Sequence, residues 1–273
     1  MIIITGASDG VGEAAARALK ARGDVVVVIG RSPEKTMRVA SEFDAPYYVA
    51  DFSRLDDVRT LAGRLLEDFA RIDVLANNAG GIMGARALTV DGNERTLQVN
   101  HLAPFLLTNL LLDRLIESGA SVITTSSIAH RSIRRLDPED FIFAHDYTPM
   151  RAYGASKLMN ILFTVELHRR VHSRGIATAS FHPGVVRTSF STEFGGGFSF
   201  GYTTFVKNFF RSPDKGAETL VWLASSVGGG WASGEYFKDE KVARSSRLAS
   251  DPKLARRLWE ASAGLTNLSS RDT

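Results

Sequence analysis

The stretch Ile2-Ile-Ile-Thr5-Gly6-Ala-Ser-Asp-Gly10-Val-Gly12 decides the fold that we predict for this 273-residue chain. A short apolar run ends at Thr5, the glycines follow with the spacing G-x-x-x-G-x-G, and an alanine-rich helical stretch runs from Glu13 to Arg22. A strand, a glycine-rich turn and a helix in this order place backbone N–H groups and a helix N-terminus where they can bind phosphate. A plain tight turn between a strand and a helix is the alternative interpretation.

Further apolar runs along the chain have the length and composition of buried strands, and helical patterns separate them. They are Val25 to Ile29, Tyr47 to Ala50, Ile72 to Ala76, Ser121 to Thr125, Ile176 to Phe181 and a short last run, Gly234 to Phe237. This alternation has no internal linker, so it predicts a single α/β domain over residues 1–273, with a doubly wound parallel sheet of about seven strands flanked by helices. Ligands bind beyond the carboxyl ends of the strands in such sheets.

Arg31 follows the second predicted strand, at the place where an acidic residue would hydrogen-bond the 2′-hydroxyl of a ribose. An arginine there accommodates a 2′-phosphate, so Arg31 indicates NADP(H), with NAD(H) as the alternative cofactor. An arginine that is merely exposed to solvent after a strand is the other interpretation.

Tyr153 and Lys157 lie four residues apart on a predicted helix, so their side chains share one face. An ammonium group beside a phenol favours the phenolate, so we expect Lys157 to lower the pKa of Tyr153 and to make it a general acid and base. Asn100 lies inside an apolar helical stretch predicted from Glu94 to Glu117. A buried amide there either braces the core or holds a water.

Taken together, the motifs resemble those of the short-chain dehydrogenase/reductase family over nearly the whole chain. They are, in order, Thr5-Gly6-x3-Gly10-x-Gly12, Asp51, Asn77-Asn-Ala-Gly80, Asn100, Ser127, Tyr153-x3-Lys157 and His182-Pro-Gly184. The Ser-Ser-Ile-Ala-His130 run, a long insertion and Ser233-Gly-Glu-Tyr-Phe237 resemble the retinol dehydrogenase-like branch. The resemblance implies a Rossmann fold and an oxidoreductase that acts on CH–OH groups with NAD(P) as acceptor, and Arg31 makes NADP the preferred one.

The resemblance also implies four catalytic residues. Tyr153 would be the acid and base, and Ser127, rather than Ser126, would hydrogen-bond the substrate oxygen. Lys157 would lower the pKa of Tyr153 and hold the nicotinamide ribose, and Asn100 would hold the water of a proton relay.

The cofactor-binding residues implied in the same way surround the predicted strand ends. They are Gly6, Ser8, Asp9, Gly10, Val11, Gly12, Arg31, Asp51, Phe52, Asn77, Ala79, Gly80, Tyr153, Lys157, Pro183, Gly184, Val186 and Thr188. Asp51 would contact the adenine, Asn77 the adenosine side, and Val186 and Thr188 the nicotinamide amide. Asp9 departs from the pattern, because many NADP-preferring members carry a basic residue there.

Two segments lie outside the motifs. Residues 129–150 are irregular and polar and are predicted to be an inserted surface loop, which lengthens the separation of Ser127 from Tyr153. Residues 194–212 combine glycines with seven aromatic side chains and are predicted to be a lid over an apolar carbonyl or alcohol substrate. A dimer contact in a homo-oligomer and a patch that touches a membrane are the alternatives.

Composition limits the other classes of function. The net charge of +3 comes without a dense basic block, so we expect no nucleic-acid partner. The chain has no cysteine, and His168 and His172 lie on a helix without a carboxylate at metal-site spacing, so no metal site is predicted. No signal peptide or membrane-spanning run is evident, so we expect a cytoplasmic protein. A non-catalytic NAD(P)-binding regulatory scaffold and an NAD-dependent dehydrogenase of the same family remain the alternative functions.

Overall fold

The computed structural model describes residues 1–137, 139–140, 143–186, 211–226 and 230–268. Within them, eight strands form one sheet in the order β3-β2-β1-β4-β5-β6-β7-β8. The strands are β1 Ile2–Thr5, β2 Val26–Gly30, β3 Tyr47–Val49, β4 Val74–Asn77, β5 Ser121–Thr125, β6 Ala177–His182, β7 Glu235–Lys238 and β8 Lys241–Val242. All neighbours pair in parallel except β7 and β8, which form an antiparallel pair. The predicted fold class is confirmed, and the extra strand, β8, has only two residues.

Helices cover both faces of this sheet. They are α1 Gly10–Ala21, α2 Pro33–Ser41, α3 Leu55–Asp68, α4 Arg95–Leu97, α5 Ala103–Leu110, α6 Leu112–Ser118, α7 Pro149–Val171, α8 Pro213–Ser225 and α9 Pro252–Leu265. Short 3₁₀ turns lie at Ile128–Ser132, His172–Arg174 and Leu248–Ser250. The helical segment predicted from about Glu94 to Glu117 extends from Arg95 to Ser118, and a π-helical turn at Gln98–Leu102 and a turn at Leu111 divide it into α4, α5 and α6.

The strands are buried on both faces, which explains their continuous apolar runs. Ile3 of β1 packs into a cluster with Leu61 of α3 and Phe105 of α5. Ile2 and Ile4, on the opposite face, pack into a second cluster that contains residues of α1 and α8. Side chains of a strand alternate between faces, so one strand contributes to two cores.

A third cluster joins α7 to α9 and includes part of the segment 129–150. Ile133 and Phe143 of that segment are buried against Leu158 of α7 and Leu258 of α9. Burial of these two side chains holds the segment against α7 and α9.

The strand order reverses between β1 and β4, so the crossovers from these strands leave in opposite directions. A crevice opens at such a switch point, outside the carboxyl ends of the strands. Residues that follow β1, β4 and β5 therefore face one another across it.

Candidate active site

The glycine turn after β1 packs directly against the loop that follows β4. Gly6 has φ +65°, and a Cβ atom there would lie 2.7 Å from the Cα of Ala79. A Cβ atom at Gly12 would lie 2.3 Å from the carbonyl oxygen of Gly6, so both positions exclude a side chain. Helix α1 begins at Gly10, and Asp9 at its N-cap makes no side-chain capping bond. The first backbone N–H groups of α1 therefore need another hydrogen-bond acceptor, and a phosphate group can fill that role.

Asn78 ties the ends of three strands together and was not among the predicted site residues. Its Nδ2 donates to the carbonyl oxygen of Thr5 at 3.0 Å, and the Thr125 hydroxyl donates to its Oδ1 at 3.2 Å. The neighbouring Asn77 was predicted to contact the cofactor, but its side chain donates to Thr108 in the core at 2.9 Å. Any ligand contact of Asn77 would therefore come from its backbone.

Ser127 and Tyr153 are joined by a side-chain hydrogen bond. Ser127 follows β5 and also accepts a hydrogen bond from the Ala129 amide at 3.2 Å. Ser126 is buried, and its hydroxyl donates to the carbonyl oxygen of Lys157 at 2.7 Å. Only Ser127 of the serine pair therefore presents its hydroxyl to Tyr153.

Lys157 and Asn100 meet at Gly80. The Nζ of Lys157 donates to the carbonyl oxygen of Thr125 at 3.0 Å and lies 5.5 Å from the centroid of the Tyr153 ring. A Cβ atom at Gly80 would lie 2.9 Å from Asn100 Oδ1 and 3.3 Å from Lys157 Nζ. The structure thus brings all four predicted catalytic residues to one end of the sheet.

Asn100 lies in the π-helical turn and braces the loop after β4. Its Nδ2 donates to the Gly81 carbonyl and to Ser156 Oγ, both at 2.9 Å, and its Oδ1 accepts from the Gly81 amide at 2.8 Å. Ser156 Oγ in turn donates to the carbonyl oxygen of Tyr153 at 2.8 Å. Both amide protons are therefore used within the protein, and only Oδ1 retains a lone pair for a water.

The pKa of Tyr153 shifts in the direction opposite to the one predicted from the sequence. Burial raises the pKa of Tyr153 to about 12, against the opposing effect of the hydrogen bond with Ser127. Burial also lowers the pKa of Lys157 to about 7. For each group, the free energy lost when the charged form is removed from water exceeds the stabilisation that the surrounding protein groups give to that form.

The predicted adenosine end of the site contains a cation that sequence reasoning missed. Lys35 on α2 reaches Asp9 with Nζ 3.0 Å from Oδ2. Arg31 is exposed directly after β2, and Asp51 Oδ1 accepts from the Ser53 amide at 2.9 Å. The Phe52 side chain is buried in the core, so only its backbone could contact a ligand.

The remaining predicted cofactor contacts follow β6. Gly184 has φ +88° and packs against the Arg211 side chain, and the Arg211 amide donates to the Val185 carbonyl at 2.8 Å. Val186 also forms a bridge with Arg211. Thr188 and most of the predicted lid lie outside the described residues.

Neither a cluster of metal ligands nor a membrane-spanning helix is found among the described residues. No group of three or more His, Cys, Asp or Glu side chains could hold a metal ion within the described ranges. In the same part of the chain, no helix has the length and apolar character needed to span a bilayer.

The switch-point crevice, the glycine turn and the Ser–Tyr–Lys group define the class of Rossmann-fold oxidoreductases. The chain belongs to the short-chain dehydrogenase family, because residues 1–138 match the sequence model of that family. This confirms the family predicted from the sequence.

Relatives are similar along most of the chain. A candidate daunorubicin C-13 ketoreductase of Streptomyces sp. (strain C5) is 43% identical over 269 residues, covering 96% of this chain and 91% of the relative. Human retinol dehydrogenase 13 is 36% identical over 280 residues, covering 98% of this chain and 84% of the relative. A short-chain dehydrogenase from Burkholderia cenocepacia J2315, solved in complex with NADP, is 25% identical with a TM-score of 0.68, covering 86% of this chain and 94% of its own.

Proposed function

We propose that the protein is an NADP(H)-dependent oxidoreductase that transfers a hydride between nicotinamide and the carbonyl or alcohol carbon of an apolar small molecule. The observation that carries this proposal is the hydrogen-bonded pair Ser127–Tyr153 beside Lys157, at the same end of the sheet as the glycine turn. The names of a ketoreductase and a retinol dehydrogenase among the relatives support a carbonyl or alcohol as the reacting group.

The residues after β1, β2 and β4 fit a dinucleotide. The side-chain-free surface at Gly6 and Gly12 and the uncapped start of α1 suit a pyrophosphate, and Arg31 suits a 2′-phosphate. The NADP complex of the Burkholderia relative supports the same cofactor class. A bound nicotinamide would supply or accept the hydride.

The chain's own groups then handle the proton and the developing charge. The raised pKa keeps the Tyr153 phenol protonated at neutral pH, which is the form that must donate a proton to a carbonyl oxygen during reduction. The Ser127 hydroxyl can donate a second hydrogen bond to the same oxygen and stabilise its negative charge. Lys157 lies close enough to the Tyr153 ring to favour the phenolate in the reverse reaction.

The proposal is tested by measuring cofactor binding and turnover separately. NADPH and NADH are titrated by fluorescence, and consumption of each is followed with aromatic aldehydes, aryl ketones, quinones and long-chain aldehydes. We expect tighter binding of NADPH and turnover of apolar carbonyls. NADPH binding without turnover of any carbonyl or of the matching alcohols would favour the regulatory scaffold, and turnover with NADH alone would favour the NAD-dependent dehydrogenase.

Apolarity of the substrate rests on residues 194–212, which we propose act as a lid. Their seven aromatic side chains follow, in sequence, the strand that ends at the site, and Arg211 near the end of the segment forms a bridge with Val186, one of the proposed cofactor contacts. A rise in KM with polarity across the carbonyl panel is the expected sign of an apolar binding surface.

Replacing Arg31 by Leu is expected to weaken NADPH binding by about 10- to 100-fold and to leave NADH binding unchanged, since a charge-assisted hydrogen bond contributes about 1.5–3 kcal/mol. The measurement is a pair of fluorescence titrations. Arg256→Leu, at an exposed position of α9, is the matched control and should change neither dissociation constant. Equal weakening of both cofactors by Arg31→Leu would contradict a role in binding the 2′-phosphate.

A further inference from the structure

We propose that His130 is a positioning residue that holds Ser127 in place by connecting the Ser127 carbonyl to the backbone amide of Ser246. The inference rests on the proposed function, because it assigns Ser127 the substrate oxygen as its ligand. Its effect would pass through Ser127, whose carbonyl oxygen the ring contacts directly.

Both nitrogen atoms of the His130 ring contact backbone groups. Nδ1 lies 2.6 Å from the carbonyl oxygen of Ser127, and Nε2 lies 3.1 Å from the backbone nitrogen of Ser246. The ring is fully buried, with its plane at 71° to the Tyr236 ring and 5.1 Å between centroids. The imidazole therefore spans a gap between two chain segments that are 116 residues apart in sequence.

The two partners determine the state of the ring. A carbonyl oxygen can only accept, so Nδ1 must carry the proton, and a backbone amide can only donate, so Nε2 must present its lone pair. A single neutral tautomer satisfies both contacts, and an imidazolium would lose the Ser246 bond. Burial lowers the pKa of His130, which agrees with this neutral state.

The contact fixes the peptide that bears Ser127. The Ser127 carbonyl also accepts from the His130 backbone amide at 3.2 Å, and the Ser127 hydroxyl accepts from the Ala129 amide at 3.2 Å. The 3₁₀ turn Ile128–Ser132 thus curls around Ser127, and the ring anchors this turn to the segment that follows β8. Without the anchor, the turn would be held at Ser127 by weaker contacts, and the hydroxyl could shift relative to Tyr153.

Two substitutions separate the two halves of the imidazole. His130→Asn places an amide N–H near the position of Nδ1 and keeps the donor to Ser127, whereas His130→Gln reaches toward Ser246 and loses that donor. We expect kcat/KM for p-nitrobenzaldehyde reduction by NADPH to fall about tenfold in His130→Gln, because small misplacements of catalytic groups carry such costs. His130→Asn breaks the other end of the connection, the bond from the Ser246 amide, so we expect its kcat/KM to fall by a similar factor. His145→Asn and His145→Gln, at an exposed histidine in the same insertion, are the matched controls and should match the wild type.

A double-mutant cycle with Ser127→Ala distinguishes positioning from general loss of stability. Removing a donor to a developing oxyanion costs about 10²–10³-fold in rate. If His130 acts through Ser127, His130→Gln should have no further effect on kcat/KM once the hydroxyl is gone. Equal tenfold losses in both backgrounds would overturn the inference, because His130 would then act independently of Ser127.

A third measurement requires no turnover. The ¹⁵N shifts of the His130 imidazole should show a protonated Nδ1 and an unprotonated Nε2 at neutral pH, and the Ser246 amide should exchange slowly with solvent. Exchange at Ser246 should accelerate in His130→Asn. If the wild type reduces no carbonyl, the proposed function fails on its own, while an Nε2-protonated ring or an unprotected Ser246 amide would overturn the positioning role.

Discussion

Tyr153→Phe is expected to lower kcat by at least about 10³-fold, since general acid catalysis and one hydrogen bond to a developing oxyanion each contribute about 10²-fold or more. The substitution removes the phenol oxygen but keeps the ring, which fills the same space next to Lys157. NADPH binding should be unchanged, because the glycine turn and Arg31 are untouched. Single-turnover reduction followed by absorbance separates this loss from slow product release.

The control for this substitution is Tyr47→Phe, which removes an exposed hydroxyl from β3 and should retain full activity. A Tyr153→Phe enzyme that retained its turnover would contradict the acid–base role. A variant that also lost NADPH binding would indicate that the hydroxyl mainly supports the cofactor site.

The sheet could be predicted from the sequence because its strands are buried on both faces. Ile2–Thr5 and Ser121–Thr125 have the predicted bounds, and other strand ends differ by one or two residues. β8 has two exposed residues and offers no periodic pattern. The π-helical turn at Gln98–Leu102 could not be predicted either, because local composition does not mark it and the partners of its Asn100, Gly81 and Ser156, lie elsewhere in the chain.

The site was predicted where neighbours in sequence are neighbours in space. Tyr153 and Lys157 share one helix, and Ser127 follows the end of β5 by two residues. The partners of Asn78 and the Ser246 partner of His130 are distant in the chain, so no spacing rule identifies them. Adjacent asparagines likewise look equivalent in sequence, although one faces the core.

The pKa of Tyr153 differs from its predicted direction for a physical reason. The sequence shows that a cation lies one helical turn away, but it does not show that both groups are removed from water. Desolvation acts on each group separately and is the first cause of both shifts. The spacing of two residues in the sequence therefore does not predict the direction in which their pKa values shift.

Lys157→Met is expected to lower turnover at least about 10²-fold while stabilising the cofactor-free protein. The fall of the lysine pKa from 10.5 to about 7 corresponds to a cost of about 5 kcal/mol for the buried ammonium below pH 7. Methionine has a similar shape without the charge, but it loses the hydrogen bond to Thr125, which offsets about 1.5–3 kcal/mol of the gain. We expect a net increase of about 2 kcal/mol in the free energy of unfolding at pH 6.

The pH dependence of this stabilisation tests its cause. Between pH 7 and 10.5 the unfolded lysine binds a proton that the folded lysine has lost, so this group makes the wild type more stable as pH rises. The advantage of Lys157→Met should therefore be largest below pH 7 and should shrink toward pH 10.5, as measured by guanidinium unfolding. Lys253→Met, at an exposed position of α9, should show no such trend. If Lys157→Met is less stable than the wild type at pH 6, burial does not destabilise the ammonium. If the variant is more stable but turns over more slowly, the fold keeps a destabilising charge because the reaction requires it.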